Sequence, residues 1–289
     1  MADADEPEVK EPPGRLQRLL NTRRGEGPAV FWSFCYFFSL LGSYYILRPI
    51  RDTMGIEAGI ERMHWLFTGT FVAMLLLVPA FGWITSRFGR QRFLPYVYTF
   101  FIANILLFHL LFESGLAQAP VAAAFFIWLS VFNLFVVSVF WSFMADLYRD
   151  EQAKRLFGFI AAGGTLGAIA GPAMTAILVQ RLGSGQLLLI SAALLGFSIL
   201  CITRLIKWKK AARETAVAPE GPQENEERPL SGGALDGILL VIRSPYLLGI
   251  CVLILLYSSL STFLYFQQAQ IIEQAFEDAD ARTAVFAAI

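Results

Sequence analysis

Residues 141–172 read WSFMADLYRDEQAKRLFGFIAAGGTLGAIAGP, and they join two long apolar stretches through a short charged hinge. No charged side chain occurs at 115–145 or at 156–180, whereas six lie within 146–155. Hydrocarbon offers the backbone no hydrogen-bond partners, so apolar stretches of about 20 residues that cross a bilayer are helices. The segment therefore predicts two membrane crossings in an all-α multi-span membrane protein.

The composition of the whole chain agrees with this prediction. Apolar residues make up 56% of the 289 residues and charged residues 16%, against about 25% charged in soluble domains. The balance of 23 basic and 23 acidic residues gives no reason to expect a nucleic-acid partner. The three cysteines lie in apolar stretches without paired spacing, which favours small buried side chains over a disulfide or a metal site.

Hydropathy predicts seven membrane spans, and the charges between them predict their orientation. The spans are expected near 28–48, 64–85, 93–112, 119–145, 157–180, 186–206 and 245–268. If the N-terminus is cytoplasmic, 18 of the 23 Lys and Arg fall on the inner side and five on the outer side. Because Lys and Arg accumulate in cytoplasmic loops, we expect a multi-pass protein of the cytoplasmic membrane with its N-terminus inside.

The chain divides into four segments. Residues 1–27 form a polar tail, in which a short basic amphipathic stretch suits an anionic lipid surface, and 28–206 form a bundle of six helices. Residues 207–244 are charged and rich in Pro and Gly, as in a cytoplasmic linker, and 245–289 restart the helical pattern. This layout is typical of transporters built from two six-helix halves. We expect a C-terminally truncated transporter or a partial gene, with helix 7 and the onset of helix 8 in the last segment.

Two further motifs lie on or beside the predicted spans. Gly82, Arg87, Gly89 and Arg90 match in register the G-x-x-x-D-R-x-G-R loop of the major facilitator superfamily, which this loop resembles, although Ser86 replaces the usual Asp. An ordinary positively charged cytoplasmic loop is the alternative.

In the fifth span small residues recur every fourth position, which predicts a close helix-packing face. These residues are Gly163, Gly167 and Gly171, followed by Pro172. This G-x-x-x-G-P run also resembles the fifth-helix motif of antiporters in the same superfamily.

The most chemically specific group lies at the outer end of the first span. Arg48, Arg51 and Asp52 are spaced three and four apart, so a helix places them on one face. Pro49 is expected to break the helix there. Arginines in a span usually mark a transport pathway, and guanidinium groups bind phosphate oxygens well. Two interfacial arginines that reach the headgroups are the alternative.

The segments YYILRPIRDTMG at 44–55 and FWSFMADLYRDEQAKRLFGFIAAGG at 140–164 resemble the ATP/ADP antiporter (nucleotide transporter) family. The resemblance implies that Arg48, Arg51 and Asp52 bind substrate and that Glu151, Lys154 and Arg155 form a conformational hinge. It departs from the family at Asp146, which replaces Asn, and in the fourth span, which lacks an acidic residue. We hypothesise that Asp52 holds Arg48 in the empty site and that Gln267 and Gln268 add hydrogen bonds from helix 7.

The predicted function is secondary transport of a nucleotide or another phosphorylated anion by alternating access. The alternatives are a facilitator for a different solute, with proton coupling as one option, and a membrane scaffold or sensor. The sequence has no Walker motif, no G-x-S-x-G and no metal-ligand spacing, so we expect neither an enzyme nor a cofactor. The expected partners are a small-molecule substrate and membrane lipid. The sequence does not define the oligomeric state, and a monomer is the expectation.

Overall fold

The computed structural model describes residues 26–87, 90–115, 118–215 and 243–289, with side chains omitted at 80–87, 90–93 and 212–215. These residues form an all-α structure, as predicted. Its elements in chain order are α1 (Gly27–Glu57), a 3₁₀ turn (Ile60–Arg62), α2 (Met63–Arg87), α3 (Arg90–Ser114), α4 (Gln118–Leu147), α5 (Asp150–Thr215), α6 (Pro245–Ala275) and α7 (Ala279–Ala288). Most of the predicted tail and most of the predicted linker lie outside the described residues.

Six of these helices are long and apolar enough to cross a membrane, and one of the six is interrupted. Gly183 in α5 has φ 79° and ψ 158°, a left-handed conformation that glycine tolerates and other residues rarely adopt. The interruption divides α5 into a first limb at 150–182 and a second limb at 184–215. Each limb is about 50 Å long at 1.5 Å per residue, enough to span the hydrocarbon core. The described helices therefore contain seven segments that are long enough for the crossings that hydropathy predicts.

The two limbs of α5 both pack against α1 and run in opposite directions. Along the first limb, Gly163 faces Phe34 and Gly171 faces Tyr45, so this limb runs parallel to α1. Along the second limb, Ser191 is bonded to Ser43 and Ser198 to Ser39, so this limb runs antiparallel. The chain therefore reverses at Gly183, and α5 is a helical hairpin with both limbs packed against α1.

The glycines of the first limb allow the two backbones to approach closely. A Cβ added at Gly163 would lie 2.6 Å from the carbonyl oxygen of Phe34, and one at Gly171 would lie 2.8 Å from the Cβ of Tyr45. A Cβ at Gly167 would meet the Phe38 carbonyl and stand 2.9 Å from the amide nitrogen of Gly42. Backbone atoms cannot move aside as a flexible side chain can, so these positions accept only glycine. Pro172 lies within the same limb, one residue after the last of them.

Hydroxyl groups and aromatic rings fill the space between α1 and its other neighbours. Ser39 and Ser198 are 2.8 Å apart between their oxygens, as are Ser43 and Ser191. In an apolar interior such pairs satisfy groups that would otherwise lack partners. The ring of Phe37 stacks on Phe140 of α4 at a centroid distance of 4.0 Å. Helix α4 also contacts α2 and α3, so α1, α4 and α5 form the centre of the bundle.

Two predictions about helix boundaries need correction. Pro49 does not break α1, which continues through it to Glu57. The first limb of α5 packs against α1 at this level, where the Thr175 hydroxyl donates to the carbonyl of Ile46 at 3.2 Å. Proline is tolerated within membrane helices that pack against neighbouring helices. In addition, α5 continues to Thr215 and so extends into the predicted linker.

Candidate functional site

The predicted arginines lie in the last third of α1, in unlike surroundings. Arg48 is exposed, and its Cζ lies 5.7 Å from the ring centroid of Tyr45. The side chain of Arg51 is only 16% exposed, and its Cζ lies 4.4 Å from the ring centroid of Phe126 on α4. Helical spacing predicted a shared face, but one guanidinium is open to an approaching solute whereas the other is packed between helices.

The carboxylate of Asp52 pairs with Arg51 and not with Arg48, contrary to our hypothesis for the empty site. Its Oδ1 lies 3.2 Å from Nε of Arg51. Asp52 is buried, and a buried carboxylate needs a nearby positive charge. Arg51 can supply this charge from the apolar site where the Phe126 ring also holds its guanidinium. Among the described residues no carboxylate forms a salt bridge with Arg48, which leaves the triad with one uncompensated positive charge.

Tyr265 of α6 is the residue of this site that sequence reasoning missed. Its hydroxyl donates to Oδ1 of Asp52 at 2.9 Å, across 213 positions of sequence. The ring of Phe67 on α2 packs edge-on against Tyr265 and Phe266, with centroid distances of 5.6 and 5.2 Å. Tyr265 lies two positions before the predicted Gln267. The sequence feature that could have indicated this role is a tyrosine within an apolar span. No local spacing, however, connects Tyr265 to Asp52.

The predicted glutamines lie near this contact without joining it. Gln267 is exposed and Gln268 is half-buried, and both line an open cavity of ≈ 420 Å³ between α6 and α7. Within the described part of the chain, neither makes a hydrogen bond to Arg48 or Arg51. Gln268 lies one turn from Tyr265 on α6. Their predicted role in substrate binding remains a prediction.

The predicted hinge residues lie at the end of the bundle that carries the N-terminus of α1 and the start of α5, called here the basic end. Arg155 donates through Nη2 to both carboxylate oxygens of Glu26, at 3.1 and 3.2 Å, and Gln152 donates to the same carboxylate at 2.8 Å. Glu151 and Lys154 are exposed on the first turn of α5. The hinge is thus tied to the start of α1 through Glu26, which sequence reasoning did not single out.

A second contact at the basic end joins Tyr148, between α4 and α5, to Ser33 of α1. The hydroxyls of Tyr148 and Ser33 are 2.9 Å apart. Burial raises the pKa of Tyr148 well above its usual value, so the phenol stays neutral at physiological pH.

The loop between α2 and α3, which resembles the superfamily motif, is described only in part. Gly82 and Arg87 belong to α2 and Arg90 begins α3. Gly89 and the loop's side chains lie outside the described residues.

These features are those of a multi-span membrane protein with a group of charged side chains near one end of its central helix. Among the described residues no group of three or more His, Cys, Asp or Glu is placed to hold a metal ion. The sequence matches the family model of the Major Facilitator Superfamily over residues 29–279. The chain therefore belongs to the major facilitator superfamily, a superfamily of secondary transporters. No curated protein and no solved structure matches it.

Proposed function

We propose that this chain carries a small organic anion across the cytoplasmic membrane by alternating access, with Arg48 as the contact for the anion. The exposed guanidinium of Arg48 supports this proposal most directly, because it lies within a membrane-capable helix and no described carboxylate neutralises it. An arginine in that position is costly unless it faces water or a charged solute. The excess of Lys and Arg at the basic end supports a cytoplasmic N-terminus.

The charge of the triad also bears on the class of anion. Arg51 is already paired with Asp52, so Arg48, Arg51 and Asp52 together carry a formal charge of +1. A nucleoside di- or triphosphate has several negative charges and needs matching cations in a site of low dielectric. Nucleotide exchange, which the resemblance implies, therefore requires Arg51 to leave Asp52 or further cations to join. The paired state favours a singly charged anion, such as a monocarboxylate.

A transport assay with a panel of solutes tests this proposal. Proteoliposomes containing the complete gene product would be given labelled lactate, glycerol 3-phosphate, ADP and a neutral sugar. We expect uptake of lactate, which carries a single negative charge, and none of the sugar. Uptake of the sugar alone would contradict the anion proposal, and uptake of ADP alone would contradict the preference for a singly charged anion.

The role of Arg48 is tested by substitution with a matched control. Arg48→Ala should lower uptake about tenfold or more, because a charge-assisted hydrogen bond contributes about 1.5–3 kcal/mol. Arg48→Lys should restore part of the uptake, since a charge remains but the fork-shaped donor is lost. Arg62→Ala removes an exposed arginine from the 3₁₀ turn that follows α1 and should leave uptake unchanged. Normal uptake by Arg48→Ala would show that this arginine anchors the helix at the interface.

Proton-driven transport is a second candidate, and the position of Asp52 favours it. Its carboxylate is buried in an apolar span between Arg51 and the Tyr265 hydroxyl. Carboxylates in such positions frequently relay protons in transporters. In that case Asp52→Asn should abolish accumulation driven by a pH gradient and preserve exchange of labelled for unlabelled substrate. Equal loss of both activities would assign Asp52 to substrate binding alone.

A further inference from the structure

The second limb of α5 has a row of exposed side chains near the basic end, called here the α5 stripe. Its members are spaced three, four and three residues apart, so they cover about a quarter of the helix circumference. They are Phe197, Leu200, Arg204 and Lys207. The first two are 41% and 42% exposed. The stripe is thus apolar in the middle of the limb and basic towards its end.

An indole ring of α1 borders the α5 stripe at the level where it changes from apolar to basic. The ring centroid of Trp32 lies 6.5 Å from that of Phe197, and the Cζ of Arg204 lies 5.7 Å from the Trp32 ring centroid. The face of an indole ring attracts a guanidinium group. The exposed ring of Phe31 packs edge-on against Trp32 at 5.7 Å and widens the apolar part of this surface. The surface therefore spans two helices.

The positive charges of the α5 stripe are not neutralised within the described part of the chain. Residues 184–213 contain no Asp or Glu. Among the described residues no carboxylate forms a salt bridge with Arg204 or Lys207. Lys209, on another face of the same helix, instead donates to the backbone carbonyl of Asp146 on α4. Arg204 and Lys207 are therefore available to an anion that approaches from outside the bundle.

We propose that the α5 stripe and Trp32 form a binding site for an anionic phospholipid of the leaflet at the basic end. The lipid phosphate contacts Arg204 and Lys207, because guanidinium and ammonium groups between membrane helices bind anionic headgroups. An acyl chain runs from the headgroup towards the bilayer centre along Leu200 and Phe197. Arg204 and Phe197 are about 10 Å apart along the helix at 1.5 Å per residue, so one lipid covers both. A free phosphate ion would leave the apolar part uncovered.

Native mass spectrometry of the protein in detergent tests this site by titration with phosphatidylglycerol and with phosphatidylcholine of the same acyl chains. We expect phosphatidylglycerol to bind more tightly. Arg204→Gln should lower its affinity about fivefold or more, and Lys207→Gln by a smaller factor. The affinity for the neutral lipid should stay unchanged in both variants. No transported solute is present, so the result is independent of the anion proposal.

The matched control is Arg181→Gln, which removes an exposed arginine from the first limb of α5 and should leave the affinity unchanged. Gel filtration in detergent would show that each variant is folded. An equal loss in Arg181→Gln, or unchanged affinity in both stripe variants, would overturn the proposal and indicate attraction by net charge alone. The deacylated headgroup, glycerophosphoglycerol, should not displace the lipid. Displacement at equal concentration would identify a site for a free phosphate instead of a lipid.

Discussion

Helix α1 has two interfaces of different construction, one with α5 and one with α6 and α7. Against the first limb of α5 its backbone is in direct contact, because glycines leave no side chain between the helices. Against α6 and α7 it is joined near its C-terminal end by side-chain hydrogen bonds, an ion pair and a small apolar cluster. Backbone contacts resist sliding and separation more strongly than contacts between side chains do. We therefore expect α1 to move with α5 as one body and the boundary with α6 and α7 to be the one that opens.

The largest effect is expected where the backbones touch. Gly167→Leu should prevent folding or greatly lower the yield, because its side chain would enter the Phe38 and Gly42 backbone. Overpacking in a close-packed interior costs about 1–3 kcal/mol and occasionally more. Expression level and thermal unfolding in detergent would measure the effect.

A matched glycine sharpens this test. Nothing lies within 4 Å of a Cβ added at Gly158, which is exposed in the same limb of α5. Gly158→Ala should therefore be neutral or stabilise the helix by up to about 1 kcal/mol, whereas Gly167→Ala should destabilise the protein. If the two alanine variants behaved alike, the glycine face would not be a packing face.

A smaller effect is expected at the basic end, where the Glu26 ion pair also joins α1 to α5. Arg155 and Gln152 both donate hydrogen bonds to the buried Glu26 carboxylate. Arg155→Ala removes the charged one of these two donors. Removing one partner of a fully buried ion pair costs about 3–5 kcal/mol, and we expect about half of that at this partly exposed helix end. Thermal unfolding of Arg155→Ala measures the loss.

The second substitution at this ion pair separates charge from packing. Adding Glu26→Gln to Arg155→Ala removes the carboxylate charge that Arg155 no longer balances and should restore most of the stability. Failure of the double variant to recover would mean that the aliphatic part of Arg155, not its charge, stabilises the basic end.

The smallest effect concerns the hydroxyl pair between α1 and the second limb. Ser39→Ala and Ser198→Ala remove the two halves of one buried hydrogen bond. Interhelical hydrogen bonds of this type contribute about 0.6 kcal/mol on average in a membrane protein. A double-mutant cycle on unfolding free energies should give a coupling of this size. A coupling near zero would show that the α1–α5 interface depends on backbone packing alone.

The sequence predicted those features that depend on local spacing. Uncharged stretches with charged hinges identified the seven spans, and the four-residue spacing of Gly163, Gly167 and Gly171 indicated a face where helices could approach closely. The partner of Asp52 could not be deduced in this way. Arg48 and Arg51 are both within one turn of it, and the choice depends on Phe126, which lies 74 positions further along the chain.

Contacts between distant segments were not predictable for the same reason. Tyr265 approaches Asp52, and Glu26 approaches Arg155, only after helices far apart in sequence have packed together. Pro49 shows the converse, since a local rule predicted a break and α1 nevertheless continues through the proline to Glu57. Local rules therefore identified the helices and some of the charged candidates, whereas packing decides which charges remain free.

The difference between the two interfaces of α1 is tested most directly by two disulfide cross-links of similar geometry. Thr53→Cys with Thr283→Cys joins α1 to α7, and Ser39→Cys with Ser198→Cys joins α1 to α5, each replacing hydroxyls 2.7–2.8 Å apart. With the native cysteines replaced by alanine, uptake of labelled lactate, glycerol 3-phosphate and ADP would be measured before oxidation, after it and after reduction. We predict that the first cross-link stops uptake until it is reduced and that the second has no effect. Uptake that continues through the 53–283 cross-link, or stops equally with the 39–198 cross-link, would contradict the assignment of the moving boundary.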